Sequence, residues 1–176
     1  MAKTVELRRH HPADGDVLTD EGVRTALEVG ACLPSTYEIF ISSGAQRSTQ
    51  TLACYLAGSG QRVTKGVVAD DRFRSKIEDR WRDAYESAGA GDIESLRRAD
   101  PDLVASESRT FGDALKDVFT ILSADGRALV VGHSPMQEAT VYGLTGEIVE
   151  PLAKGAGVRV VLDKGRYRVE PLDPES

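Results

Sequence analysis

Short segments of strand character alternate with helical segments along most of this chain, and this alternation most restricts its possible folds. Residues 4–7, 37–43 and 62–69, and the run RALVV that ends just before Gly132, are rich in β-branched or aromatic side chains. Apolar residues at helical spacing lie between them. The last two strand segments meet at Lys164-Gly165, where we expect a hairpin turn. The sequence therefore predicts an α/β three-layer sandwich, with a mostly parallel central sheet flanked by helices and a C-terminal hairpin.

We interpret residues 1–176 as a single domain with a charged, helical excursion at about 70–105, where Gly and Pro interrupt a run rich in Asp, Glu and Arg. Thr19 is expected to cap the first helix. A long amphipathic helix is expected to start at Thr110. The buried face predicted for the first helix consists of Val23, Ala26, Leu27 and Gly30.

The overall charge does not suit a protein that binds polyanions. The chain has 22 Lys and Arg against 28 Asp and Glu, a net charge of −6, so we expect neither a nucleic acid nor a membrane surface as partner. No apolar run is long enough to span a bilayer, and the first residues lack the hydrophobic core of a signal peptide. Cys32 and Cys54 are expected to be buried free thiols, so the expected location is the reducing cytoplasm.

Arginine and histidine side chains follow three of the predicted strands. Arg9 and His10 come just after the first strand, and Arg47 lies in the first turn of the helix after the second. His133 follows the run RALVVG and precedes another helix. Because ligands of α/β sheets bind beyond the carboxyl ends of the strands, we expect these four side chains to meet at one edge.

These residue types are suited to phosphoryl transfer. Two guanidinium groups match the oxygens of a tetrahedral oxyanion such as phosphate. A histidine surrounded by cations stays neutral and can attack phosphorus. The transferred group would be stabilised electrostatically, so no metal or other cofactor is expected. Ser134 and Gln137 fit a capping box for the helix after His133, which would add backbone N–H groups to the site.

Four motifs in this order resemble those of the histidine phosphatase, or phosphoglycerate mutase-like, superfamily, over residues 5 to about 140. Arg9-His10-His11 is similar to its Arg-His-Gly triplet, and LTDEG (18–22) to its Leu-Thr-x-x-Gly helix start. The segment ISSGAQRSTQT resembles its Ser-Ser-x-x-x-Arg-x-x-Gln-Thr pattern, and VVGHSP its Gly-His-Asn-Pro form. The short chain most resembles the small phosphohistidine phosphatases of that superfamily.

The resemblance implies a phosphatase that works through a phosphohistidine intermediate. His10 would be the nucleophile that accepts the phosphoryl group, and Arg9, Arg47 and His133 would form the phosphate pocket. The substrate would be a phosphorylated small molecule or a phosphoprotein. Neither the substrate itself nor the oligomeric state follows from the sequence.

Three positions depart from the family pattern, and one of them is Arg8, which occupies a place that is usually apolar in the family. His11 stands where the family has glycine, and its ring either narrows the mouth of the pocket or points away, as a solvent-facing or wall residue. Many members carry an acidic glutamate six residues before a tryptophan, and this position, counted back from Trp81, is Ser75. Glu78 is the nearest carboxylate, and we hypothesise that it protonates the leaving group.

Three other functions stay open at this stage. A metal hydrolase could use His10, His11 and His133, although adjacent strand residues point to opposite sides. A non-catalytic module could bind phosphorylated ligands in the same pocket, and Ser75 in place of the acid favours it. Phosphotransfer of the phosphoglycerate mutase type is the third.

Overall fold

Eight strands are present in the computed structural model, which describes residues 1–34 and 36–172. They are β1 (Lys3–Arg9), β2 (Ala13–Asp14), β3 (Val17–Leu18), β4 (Tyr37–Ser42), β5 (Val67–Ala69), β6 (Arg127–Gly132), β7 (Gly157–Asp163) and β8 (Arg166–Leu172).

The helices alternate with these strands. They are α1 (Asp20–Cys32), α2 (Gln46–Ser59), α3 (Glu78–Ala88), α4 (Ile93–Ala99), α5 (Pro101–Ile121) and α6 (Met136–Thr145), with a short 3₁₀ turn at Asp71–Phe73. None of the helices in the described residues is long and apolar enough to cross a membrane.

Six of the strands form one sheet in the order β5-β4-β6-β1-β7-β8. β5, β4, β6 and β1 are parallel, and β7 and β8 pair antiparallel at one side. β2 and β3 form a small separate hairpin in the connection after His10. The predicted α/β architecture, the mostly parallel sheet and the C-terminal hairpin are confirmed.

The two faces of the sheet are covered by different helices. Helices α1 and α2 bury one side of β4 and β6 through residues such as Phe40, Leu52 and Leu129. Helices α5 and α6 cover the other face, where Leu115 and Val141 pack against β1 and β6. The excursion adds α3 and α4, which pack against α5 and α6 in a third apolar cluster.

Two helix predictions are wrong in detail. α5 begins at Pro101 and not at Thr110, because the Asp100 side chain accepts a hydrogen bond from the Leu103 N–H at 3.1 Å and proline suits the first helical position. In α1, Val23 and Leu27 are each 39% exposed. The helix instead turns small residues to α2: a Cβ on Gly30 would lie 2.9 Å from the Tyr55 Cα, so only glycine allows this approach.

Two further expectations need correction. The third strand comprises only Val67–Ala69 of the predicted 62–69, because pairing with β4 is limited to three residues. Cys54 is half-buried and Cys32, at the last position of α1, is exposed, so the predicted burial of both thiols is wrong. Both are free thiols.

Candidate active site

The carboxyl ends of β1, β4 and β6 meet at one edge of the sheet. Backbone pairing continues one residue past the strands: the His10 N–H donates to the Gly132 carbonyl at 3.0 Å, and the Ser43 N–H to the Val131 carbonyl at 3.0 Å. The His10 and His133 rings are consequently neighbours, with centroids 5.5 Å apart. Sheet register therefore produces the convergence expected from the sequence.

His10 is held in one tautomer. Its Nδ1 lies 2.7 Å from the backbone carbonyl oxygen of His11, and because a carbonyl only accepts, Nδ1 carries the proton. Nε2 is then left with its lone pair. Burial, together with the charges of Arg47 and Arg9, lowers the pKa of His10 to about 4, so the ring is neutral at pH 7. A neutral imidazole with a defined lone pair is what nucleophilic attack requires.

Arg47 and His133 form a second bonded pair at this edge. Nη2 of Arg47 donates to Nδ1 of His133 at 3.1 Å. Since Nδ1 accepts, Nε2 carries the proton and donates to Ser43 Oγ at 2.8 Å. Burial and, next, the charge of Arg47 lower the pKa of His133 to about 3. The ring is neutral and fixed from both sides.

Arg9, at the end of β1, brings a second guanidinium to the site. Its Nη1 donates to the Leu152 carbonyl at 2.8 Å, while its buried Nε has no hydrogen-bond partner among the described residues. Burial lowers the pKa of Arg9, as does the charge of Arg47. Two partly buried guanidiniums that interact unfavourably with each other would both be stabilised by an anion placed between them.

Asp16, in the turn of the β2–β3 hairpin, belongs to the site although sequence reasoning did not select it. Its Oδ1 accepts from Nη1 of Arg47 at 3.1 Å, and its Oδ2 accepts from the backbone N–H of Gln46 at 3.1 Å. Asp16 thus caps α2, whose own N-cap residue Ala45 has no side-chain acceptor. The absence of a capping side chain at Ala45 was the only local signal, and it does not say where the substitute comes from.

Glu78 stands on the wall of a cleft of about 290 Å³ that also contains Arg47 and His133. Its Oε1 accepts from Nε of Arg74 at 2.6 Å, and its side chain is 40% exposed. Ser75, at the position where the family pattern has an acid, is buried, and its Oγ accepts from the Ile77 N–H at 3.1 Å. The structure therefore places Glu78, and not Ser75, within reach of a ligand in the cleft.

His11 points away from the other two histidines. Its Nδ1 lies 2.9 Å from Thr25 Oγ1 and its Nε2 lies 2.8 Å from the Tyr55 hydroxyl. It is a buried wall residue, so the solvent-facing alternative is wrong. With both ring nitrogens engaged, it does not join His10 and His133 in one ligand set. Across the described ranges 1–34 and 36–172, no group of three or more His, Cys, Asp or Glu side chains is arranged to hold a metal ion.

The predicted capping box after His133 is not formed. Pro135 is itself the N-cap of α6, and no side chain caps that end. Gln137 is instead buried, with its Nε2 donating to the Arg8 carbonyl at 3.1 Å, and Ser134 Oγ donates to Oε1 of Glu138 at 2.5 Å. Glu138, a buried carboxyl beside the site, is a second residue that the sequence reading missed.

No protein-family model matches this sequence, and no curated protein is significantly similar to it. Solved structures are similar in fold. A phosphoglycerate mutase from Bacillus anthracis superposes with a TM-score of 0.73 at 20% identity, over 97% of this chain and 92% of that one.

Two phosphatases show the same fold. A mutant phosphoserine phosphatase from Entamoeba histolytica, in complex with phosphoserine, has a TM-score of 0.70 at 16% identity, over 95% of this chain and 94% of its own. A protein provisionally designated the phosphohistidine phosphatase SixA, from Agrobacterium tumefaciens, has a TM-score of 0.56 at 18% identity, with 97% of each chain covered. The resemblance drawn from the sequence motifs is confirmed at the level of fold.

Proposed function

We propose that this chain, which has the fold of the histidine phosphatase superfamily, is a metal-independent phosphatase that works through a phosphohistidine intermediate on His10. The observation that carries this proposal is the bond from His10 Nδ1 to the His11 carbonyl. It leaves the Nε2 lone pair available at the edge where Arg9, Arg47 and His133 lie. A nucleophile beside an anion pocket is the arrangement that phosphoryl transfer needs.

The reaction would proceed in two displacements. Nε2 of His10 attacks phosphorus and forms a phosphorus–nitrogen bond. The bond from phosphorus to the leaving oxygen breaks, its electron pair stays with that oxygen, and Glu78 donates a proton to the oxygen. Water then attacks phosphorus and gives a proton to the Glu78 carboxylate. The phosphorus–nitrogen bond breaks with its electrons returning to Nε2, and inorganic phosphate leaves. Arg9 and Arg47 would bind the non-bridging oxygens in both steps, and His133 would join them with its Nδ1 protonated once Arg47 turns from that nitrogen to the phosphoryl group.

The cleft beside His133 would hold the organic part of the substrate. Pro135 and Met136 form its apolar wall, and Tyr85, which is 54% exposed, stands at its rim. Arg82 adds a positive charge there. A cleft of about 290 Å³ fits a small phosphate ester or a phosphorylated side chain. The names of the structurally similar phosphatases support the same two classes of substrate.

Hydrolysis of p-nitrophenyl phosphate in excess EDTA tests the mechanism, because its leaving group needs almost no protonation. We expect turnover in wild type and a loss of about 10³-fold or more in His10→Ala. His11→Gln, a change at the neighbouring histidine that keeps an acceptor near Tyr55, is the matched control and should retain most of the activity. Turnover that EDTA abolishes, or that His10→Ala retains, would overturn the proposal.

A module that binds phosphorylated ligands without hydrolysing them is the second candidate. It is favoured by the ion pair of Glu78 with Arg74 at 2.6 Å, because this contact occupies the carboxylate that the phosphatase reaction would use as its acid. Calorimetric titration with inorganic phosphate separates the two. Phosphate binding by a folded wild type that turns over neither p-nitrophenyl phosphate nor phosphohistidine would favour the module.

A further inference from the structure

Glu138, in the first turn of α6, is a buried carboxyl for which the proposed reaction has no use. It is 1% exposed. Its Oε1 accepts two hydrogen bonds, from the backbone N–H of Leu152 at 2.8 Å and from Ser134 Oγ at 2.5 Å. Its Oε2 is buried with no hydrogen-bond partner among the described residues. A carboxyl buried in this way is costly unless its surroundings compensate for it.

The two donors to Glu138 lead to two different residues of the phosphate pocket. Leu152, which gives its N–H to Glu138, accepts from Nη1 of Arg9 through its carbonyl at 2.8 Å. Ser134 directly follows His133 in the chain. One carboxylate oxygen therefore links the segment that holds Arg9 to the loop that carries His133.

Charge couples Glu138 to Arg9 as well. Burial raises the pKa of Glu138, whereas the hydrogen bonds from Ser134 and Leu152 and the positive charge of Arg9 oppose that rise. In return, Glu138 counteracts the lowering of the Arg9 pKa by burial. The carboxyl and the guanidinium thus compensate for each other's burial across the Leu152 backbone.

We propose that Glu138 is a positioning residue that holds Arg9 and the His133–Ser134 loop in the geometry that binds the phosphoryl group. The proposal rests on the phosphate pocket proposed above. Glu138 acts through its hydrogen bonds to Leu152 and Ser134 and does not touch the substrate. Outer hydrogen bonds of this kind orient the groups that do touch it, and displacement of those groups by about 1 Å can cost up to about 100-fold in rate.

Glu138→Gln and Glu138→Ala test this role, because glutamine keeps an oxygen that accepts both bonds and alanine removes it. The readouts are the dissociation constant for inorganic phosphate, measured by calorimetry, and kcat and KM for p-nitrophenyl phosphate. We expect Glu138→Ala to weaken phosphate binding and to raise KM by about tenfold or more, and Glu138→Gln to stay within about threefold of wild type. Ser134→Ala removes one of the two bonds at a half-buried loop position, so its phosphate affinity and KM should lie between those of the two Glu138 variants.

Thr140→Ala is the matched control for loss of stability. Thr140 is equally buried on α6, and its Oγ1 donates to the Met136 carbonyl at 2.7 Å within the helix. It should lower the free energy of unfolding and leave phosphate affinity within about twofold. Equal losses of phosphate affinity in Thr140→Ala and Glu138→Ala would show that Glu138 only stabilises the fold, and would overturn the proposal.

Other outcomes are equally decisive. Unchanged phosphate affinity in Glu138→Ala overturns the proposal. Equal losses of affinity in Glu138→Gln and Glu138→Ala also overturn it, because they would assign the effect to the charge of Glu138 and not to its hydrogen bonds. A wild type that binds phosphate without turnover would remove the phosphatase function, yet the expected order of affinities would still support the role of Glu138. A folded wild type that does not bind phosphate would overturn both.

Discussion

At the scale of single residues, the most informative position is His11, where the resembled family has glycine. Its imidazole occupies space that is available because Gly155 lies opposite: a Cβ there would come within 2.8 Å of His11 Cε1. Gly155 also has a φ of +80°, which favours glycine. The side chain present at position 11 thus fits because none is present at position 155, which lies 144 residues further along the chain. His11 is compatible with the site because its ring points away from His10 and His133, towards Thr25 and Tyr55.

Glu78 can be tested through the leaving group. If it donates the proton, Glu78→Gln should reduce kcat/KM for glycerol phosphate, a poor leaving group, by about 10²-fold, and that for p-nitrophenyl phosphate by no more than about threefold. Steady-state kinetics with both substrates measure this ratio. Asp79→Asn, at the adjacent and more exposed carboxylate, serves as the control. Equal losses on both substrates in Glu78→Gln would show that Glu78 is not the acid.

At the scale of elements, the contact between α5 and α6 determines where the His133 loop and Glu138 lie. The helices approach closely because glycines face each other: a Cβ on Gly112 would lie 2.6 Å from the Gly143 carbonyl carbon. A Cβ on Gly143 would lie 1.7 Å from the Ser108 carbonyl oxygen. Both clashes are with backbone, which cannot move aside as a flexible side chain can.

Gly143→Ala should therefore destabilise the protein by about 1–3 kcal/mol, despite the better helix propensity of alanine. Urea unfolding followed by circular dichroism measures the change. Gly91→Ala is the control, because its Cβ would meet only the Tyr85 ring, at 3.1 Å, and this half-exposed ring can move. A Gly143→Ala protein as stable as wild type would show that the helices can separate at little cost.

At the scale of the whole molecule, all three histidines are buried and neutral. Burial is the main cause that lowers the pKa of His10 and His11 to about 4 and that of His133 to about 3. In the unfolded chain a histidine has a pKa near ~6.5. Between these values the unfolded chain binds more protons than the folded one, so the free energy of unfolding must decrease as the pH falls.

Stability should accordingly be complete above about pH 6.5 and should decrease by about 1–2 kcal/mol per histidine between pH 7.5 and pH 5. Urea titrations at the two pH values measure the decrease. His11→Gln removes one titrating group, so its decrease should be smaller than that of wild type by about one histidine's share. An identical decrease in both proteins would show that folding does not lower the pKa of His11, which would contradict the prediction.

Sequence reasoning reached the architecture and the four strand-end residues. Strand and helix segments are visible in local periodicity, and the rule that parallel strands end at one edge then places Arg9, His10, Arg47 and His133 together. The details that failed were the ends of elements, a helix cap and the packing of helix faces. Val23 and Leu27 have helical spacing with Ala26, yet both are partly exposed and α1 turns Gly30 to α2, because the approach of two helices depends on both surfaces.

The sequence by itself thus determined the order of the elements and which junctions carry the arginines and histidines. Only the tertiary structure decided the tautomer of His10, the cap of α2 by Asp16 from 30 residues away, and the link from Glu138 to Leu152 and Arg9. Periodicity reports which face of an element is apolar. The partners of a buried polar group depend on loops brought together by the fold, and no local pattern encodes those contacts.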